Sequence, residues 1–277
     1  MTEAVSPVVA FDNTGTLSEV VTSVGRLSES SIFDAPVPEI PSAHPVALVG
    51  LAVRDHSCFE TEETLAAVVE AAEIDVHLAL ANVEVDDTAV RSALLADTEA
   101  PARAVSREVN ALHSQLETAQ SARPEVPLGV QLVVGLAPPR IHRIIAYTTV
   151  PRPGARRVLG RMGAAGWAVH LVSGDRAPIL AAVAEHLGIP PAHVHPDQSA
   201  ADKAATIRAL RRRAPCVAMV GDYVNDRAAF EAADSAVLIA GDGDEPPPDA
   251  LVSIADVVVE SLDAIPDVLL GPSPAPC

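Results

Sequence analysis

The sequence predicts an α/β fold: a doubly wound parallel sheet, with a second α/β domain inserted after the first strand. Three observations lead there. Short apolar runs alternate with helical patterns from about residue 150 to 260, the spacing of right-handed β-α-β units. Three apolar runs, ending at Phe11, Val172 and Val220, stop at similar polar tips: Asp12-Asn13-Thr14-Gly15-Thr16, Ser173-Gly174-Asp175 and Gly221-Asp222. The interval from about 19 to 140 has little in common with either flank. In a parallel sheet the strand C-termini share one edge, so the three tips converge on one crevice at the switch point.

In chain order, a strand over 7–11 runs into the Asp12 loop, and a Ser/Pro-rich connector follows from Ser28 to Ser42. Apolar runs at Val46 to Val53, Ile74 to Val85, Gly129 to Leu136 and Ile141 to Tyr147 read as strands. Helical patterns separate them: Thr61 to Ala72 with Glu62 and Glu63 in its first turn, Asp87 to Ala96 with Asp87 as N-cap, and Pro101 to Ala122 opening on proline. The Ile141 run belongs either to the insert or to the core sheet. Next come a helix to about Ala165 stopped by Gly166, the strand to Val172, and a helix over Ala177 to Leu187 ended by Gly188. A helix over Ala201 to Arg213 carries Lys203 in its first turn. Strand 216–220, helix Asp226 to Ala233, and strands Ala236 to Ala240 and Val257 to Val259 complete the sheet. The expected division is 1–18 plus 144–270 for the core, 19–143 for the insert, and a disordered tail over 271–277.

A chain of 277 residues buries roughly three quarters of its unfolded surface. Every apolar run is broken by charge, Gly or Pro before the ~18 residues that cross a bilayer, and no basic segment with an apolar core opens the chain. A cytoplasmic location with no membrane partner is expected. Cys58, Cys216 and Cys277 form no C-x-x-C pair, which argues for isolated thiols over a disulfide framework or zinc site. The net charge of −18 excludes nucleic acid as an electrostatic partner. Such acidity fits either repulsion of polyanions or a halophilic adaptation, and the basic residues, eighteen Arg and one Lys, favour a salt-adapted or GC-rich origin. The lone Lys203 suggests a site that needs a compact point charge and not a planar fork.

The four segments now in hand resemble the haloacid-dehalogenase-like (HAD) superfamily, and within it the phosphorylation domain of P-type ATPases. Asp12-Asn13-Thr14-Gly15-Thr16-Leu17-Ser18 resembles D-K-T-G-T-L-T, Ser173-Gly174-Asp175 resembles T/S-G-D, Gly221-Asp222-Tyr223-Val224-Asn225-Asp226 resembles G-D-G-x-N-D, and Lys203 supplies the fourth element. The resemblance covers about half the chain. It implies a Rossmann-like core with a C1-type inserted cap and a Mg²⁺-dependent phosphohydrolase, either a phosphatase or a soluble ATPase-like enzyme. Asp12 would be the nucleophile that forms an aspartyl-phosphate. Asp12, the backbone carbonyl of Thr14 and Asp222 would hold Mg²⁺, with Asn225 and Asp226 ligating or orienting through water. Thr16, Ser173, the Gly174 N–H and Lys203 would grip the phosphoryl oxygens, and Lys203 would also balance charge in the transition state. The implied partner is a small phosphorylated metabolite or a nucleotide.

Thr14 stands two residues after the nucleophile, in the catalytic position where phosphatases of the superfamily place an acidic residue, and Thr performs neither acid nor base work there. Good leaving groups, as in ATP, acyl phosphates and aryl phosphates, are therefore expected over alkyl esters. Asn13 replaces the ATPase Lys, and Thr149 replaces the Asp of the hinge signature that ends at Arg152. A non-catalytic or slow phosphate- or nucleotide-binding regulatory module therefore stays open as the alternative. Ser42-Ala43-His44-Pro45 faintly resembles the S-E-H-P of metal-transporting members, although His-Pro before a strand is also an ordinary turn. His193, His195 and Asp197, flanked by prolines, are expected in a surface loop, and Gly241 to Asp244 in an acidic turn.

Overall fold

The computed structural model describes residues 6–35, 37–53, 55–118, 127–240 and 247–271. The turn expected at 241–244, the end of the third insert helix and the tail from 272 lie outside those residues. In chain order the strands are β1 Val8–Phe11, β2 Ser18–Arg26, β3 Val46–Ala52, β4 Asp75–Ala81, β5 Gly129–Leu136, β6 Pro139–Pro151, β7 Ala168–Val172, β8 Val194–His195, β9 Val217–Gly221, β10 Ser235–Ile239 and β11 Val257–Val259. The helices are α1 Leu65–Ala71, α2 Asp87–Ala96, α3 Arg103–Thr118, α4 Ala155–Ala164, α5 Ala177–Leu187, α6 Ala200–Arg211, α7 Arg227–Phe230, α8 Asp249–Val252 and α9 Ile265–Leu270. The chain divides into two units, one of Met1–Val20, Arg123–Pro127 and Thr149–Cys277, the other of Val21–Ala122 and Leu128–Thr148.

The first unit holds a six-stranded sheet in the order β11-β10-β9-β1-β7-β8, parallel throughout. All four residues of β1 are buried, as a strand covered on both faces requires. Because side chains alternate along a strand, Val9 and Phe11 pack on one face with Val158 and Met162 of α4 and Leu180 and Val183 of α5. Val8 and Ala10 pack on the other with Ala204 and Ile207 of α6 and Phe230 of α7. Burial of Phe11 alone contributes about 1.5–3 kcal/mol. The chain reaches β7 on one side of β1 and β9 on the other, so the switch point flanks β1. The carboxyl ends of these three strands lead directly into Asp12, Ser173 and Asp222.

Local signals set the helix ends. Gly188 takes the left-handed conformation that stops α5, with φ 77°. Ser199 and Asp202 form a reciprocal capping box that fixes the first turn of α6, where Lys203 sits.

The second unit is a five-stranded sheet in the order β2-β6-β5-β3-β4, with β3–β4, β3–β5 and β5–β6 antiparallel. Leu65 and Val69 of α1, Val90 and Leu94 of α2, and Val105 and Leu112 of α3 pack with its strands in one core. Several elements differ from expectation. β2 arises where no strand was expected, because only Ser18, Ser23 and Gly25 of its nine residues are buried and no apolar alternation marks it. The N-cap of α2 is Asp86, whose carboxylate accepts from Ala89 N at 2.8 Å, while Asp87 accepts from Leu78 N at 2.6 Å. α1 starts after Thr64, which caps it.

The expected loop around His193 to Asp197 contains β8, which adds to the sheet edge beside β7. His193 Nδ1 lies 3.0 Å from Val169 O, its ring stacks on His170 at 4.1 Å, and His170 Nδ1 lies 3.1 Å from His195 Nε2. Burial, with the charges of His193 and His195, pushes His170 down to about 4, so the His170 ring is held neutral. Cys58 is a free thiol, whereas Cys216 is disulfide-bonded, which departs from the expectation of isolated thiols.

Candidate active site

Asp12 caps β1, its N–H continuing the ladder to Val220 O at 2.9 Å, and is 3% exposed. The chain then turns back on itself. Ser18 N and Thr16 N donate to Asn13 O at 2.8 and 3.2 Å, and Ser18 Oγ donates to Asn13 Oδ1 at 2.7 Å. Gly15 sits at φ +86°, and a Cβ there would fall 2.0 Å from Asp222 Oδ2, so the turn needs glycine for both its backbone and its neighbour. Arg152 Nη2 donates to Gly15 O at 2.9 Å, which ties this loop to the segment before α4.

The other tips close around it. Asp222 follows β9 and accepts from Thr16 Oγ1 at 2.7 Å. Ser173 N donates to His195 O at 3.1 Å, so the Ser173 loop hangs from the edge strand β8. Asp12, Thr14, Ser173, Asp175, Asp222 and Asn225 are among the residues lining a cleft of about 290 Å³. Exposed Tyr223 also lines it.

Lys203 lies beneath the cleft, fully buried, with Nζ 2.8 Å from Asp12 Oδ1 and 2.7 Å from Asp226 Oδ1. The Asp226 contact is an aligned hydrogen bond. The Asp12 contact is ionic without that alignment, which leaves Oδ1 buried with no hydrogen-bond partner. Asp226 Oδ2 in turn accepts from Asp222 N and Tyr223 N at 3.2 and 3.4 Å. Burial works against the Lys203 charge, but Asp12 and Asp226 together raise its pKa, so it stays cationic.

Three carboxylates, Asp12, Asp222 and Asp226, each place an oxygen within 4.8 Å of the others. With one ammonium among them, and with a buried Asp12 oxygen lacking a hydrogen bond, this all-oxygen set fits a hard divalent cation such as Mg²⁺. Without such a cation, burial and then the Asp226 charge raise Asp12 from 3.8 to about 7, against the opposing pull of Lys203. Burial also raises Asp222.

A raised carboxyl pKa means that the folded state keeps a proton the unfolded chain has lost. That stability is complete below pH 3.8 and is lost as pH rises through about 7. In chelator, the melting temperature of the native chain minus that of Asp12→Asn is therefore expected to decline across this window. Mg²⁺ should raise the native melting temperature most above pH 7, where it no longer competes with the proton. Scanning calorimetry of both proteins checks this, and a flat difference curve would refute it.

Asp12, Thr14, Ser173, Gly174, Asp222 and Asn225 meet at one cleft. Thr16 and Lys203, expected as phosphoryl donors, are both 0% exposed and turned inward, one toward Asp222 and the other toward Asp12 and Asp226. Two residues not expected at the site join it: Asp175, the last residue of Ser-Gly-Asp, and Asn13, whose Nδ2 donates to Asp175 Oδ2 at 2.7 Å. In the second unit, Phe33, His44, Gly135, Arg140 and His142 are among the residues lining a cleft of about 640 Å³, and Phe33 stacks on His142 at 3.5 Å.

A strand-borne carboxylate paired with a buried lysine, two further aspartates and a Ser-Gly loop thus stand together at the edge of a parallel sheet. The model of the haloacid dehalogenase-like hydrolases matches residues 7–234, and the chain belongs to that family. Among curated relatives, the probable copper-transporting ATPase SynA of Synechococcus sp. is 36% identical over 94 residues, 34% of this chain and 12% of that protein. The probable copper-exporting P-type ATPase V of Mycobacterium tuberculosis is 38% identical over 98 residues, 35% of this chain and 12% of that protein. The matched stretch is thus about an eighth of each relative's length. A solved structure of the catalytic domain of the CPx-ATPase CopB-B is 18% identical, with TM-score 0.45, and the match covers 92% of this chain and 84% of that one. Among the described residues, no helix is long and apolar enough to cross a membrane.

Proposed function

We propose that the chain is a Mg²⁺-dependent phosphohydrolase that works through an aspartyl-phosphate on Asp12. The observation that carries this reading is the buried Asp12–Lys203 contact at 2.8 Å, at the tip of the central strand and open to a cleft shared with Asp222 and Ser173. Lys203 favours the ionised form of Asp12 against the opposing effect of burial and aims the carboxylate, so an Asp12 oxygen forms a bond to phosphorus while the bond to the leaving oxygen breaks. The Gly174 N–H holds the phosphoryl oxygens, joined by Ser173 Oγ when its proton turns to them from Asp175 Oδ2, which Asn13 and Thr14 continue to hold. Asp12, Asp222 and the Thr14 carbonyl would hold Mg²⁺, with Asn225 and Asp226 orienting its waters. Bound there, Mg²⁺ offsets the repulsion between carboxylate and phosphate. Thr16 orients Asp222, and Asp226 anchors Lys203 from below.

Leaving-group chemistry sets the substrate class. No acid stands at Thr14, whose hydroxyl donates to Asp175 at 3.0 Å, so the departing group must leave as a stable anion. Acid anhydrides such as ATP and acyl phosphates meet that demand, as do aryl phosphates; alkyl phosphates do not. A series of aryl phosphates of graded phenol acidity, with acetyl phosphate and glycerol phosphate, tests this in Mg²⁺ buffer with molar and low salt compared. Rates should rise steeply with phenol acidity, and glycerol phosphate should turn over at least about 100-fold more slowly than acetyl phosphate. Equal rates on alkyl and acyl substrates would refute the assignment.

A slow, phosphate- or nucleotide-binding regulatory module is the second reading. The observation favouring it is Asn13, a neutral side chain committed to Asp175 and Ser18. A phosphoenzyme that forms and never turns over would decide for it.

A further inference from the structure

The cleft contains a carboxylate that phosphoryl transfer to Asp12 leaves unused. Asp175 Oδ2 accepts from Asn13 Nδ2 at 2.7 Å, Ser173 Oγ at 2.9 Å and Thr14 Oγ1 at 3.0 Å. Its Oδ1 has only the longer Thr14 contact at 3.3 Å. Three neutral donors thus saturate one oxygen and lock the side chain in place, while the other oxygen keeps lone pairs at the cleft wall. The adjacent Arg176 is paired to Asp197 at 3.5 Å.

Hydrolysis of an acyl phosphate needs a proton acceptor beside the attacking water. At that stage Asp12 carries the phosphoryl group. Asp222 faces the cation position and Thr16, and Asp226 is buried against Lys203. Asp175 is the carboxylate left.

Resting on the aspartyl-phosphate reading above, we infer that Asp175 is the base of the second half-reaction, taking a proton from the water that attacks the Asp12 phosphate. The water oxygen forms the new bond to phosphorus. The bond from phosphorus to the Asp12 oxygen breaks, and its electron pair returns to the carboxylate. One water proton passes to Asp175 Oδ1 and then to solvent as inorganic phosphate departs. The acid–base carboxylate absent at position 14 is in this way supplied from the Ser173 loop, in contact with the Thr14 hydroxyl.

Rapid-quench kinetics with acetyl phosphate labelled on phosphorus, in Mg²⁺, separates formation of the phosphoenzyme from its decay. Asp175→Ala should form phosphoenzyme and accumulate it, with decay slowed by two or more orders of magnitude, roughly the contribution of a general base. Formate, a small carboxylate that fits the vacated space, should accelerate decay in Asp175→Ala and leave the native rate unchanged. Decay within threefold of native, or slow decay that formate does not accelerate, overturns the inference. If Asp175→Ala fails to fold, as judged by near-ultraviolet circular dichroism, the isosteric Asp175→Asn replaces it, with the same slowing expected and decay within threefold of native again overturning the inference. A native chain that forms no phosphoenzyme at all has a different signature, and it removes the aspartyl-phosphate reading together with this one.

Discussion

Asp12→Asn is expected to abolish turnover of acetyl phosphate and ATP by roughly three or more orders of magnitude, the scale on which a covalent nucleophile contributes. The amide keeps the shape of the carboxylate, so β1 and its ladder to β9 and β7 stay intact. Two things change. The amide oxygen is too weak a nucleophile to displace a leaving group from phosphorus, and the Lys203 ammonium keeps only Asp226 as counterion. No acid-stable, hydroxylamine-sensitive label should appear on the variant. Mg²⁺ binding should weaken without vanishing, because Asp222 remains within 4.8 Å of Asp226. Turnover by Asp12→Asn at a tenth of the native rate or more would show that another residue carries the chemistry.

Lys203→Met is expected to give the largest loss of stability from a single substitution in the site, about 3–5 kcal/mol in metal-free buffer, by leaving buried charge without its partner. Lys203 is fully buried between two carboxylates, and Met supplies no donor or charge to replace it. Each carboxylate then becomes neutral by taking a proton or strains the fold that surrounds it. Met has a similar volume, which removes cavity formation as an alternative cause. The double variant Lys203→Met/Asp226→Asn should recover part of the loss. Urea melts of the three proteins measure it, and a single-variant cost below about 1 kcal/mol, the scale of a solvent-exposed pair, would mean that water screens the pair.

The polar tips were legible in the sequence because each follows an apolar run too short for a helix, and three such tips in order, with Lys203 between the second and third, are hard to obtain by chance. Asp12, Ser173, Lys203 and Asp222 accordingly lie at or beneath one cleft. What the sequence does not display is direction. Nothing in Thr16 or Lys203 says that their polar atoms turn inward to Asp222 and Asp226, because both orientations suit a threonine in a strand-tip loop and a lysine in the first turn of a helix. Asp175 was concealed for a related reason: its placement depends on three donors from two segments, Asn13 and Thr14 on one side and Ser173 on the other. In the second unit, β2 was hidden because six of its nine residues are at least partly exposed, so its pairing with β6 leaves little hydrophobic signature. The two-residue β8 is too short for any periodicity to show.

Because the single lysine of the chain is sealed at 0% exposure between two aspartates, the folded protein offers amine-directed acylating reagents no side-chain target. Acylation of Lys203 therefore requires the site to open, and the rate at which a small activated ester modifies it becomes a clock for that opening. Resin coupling, cross-linking or isopeptide tagging through lysine would select molecules in which the floor of the cleft has already come apart.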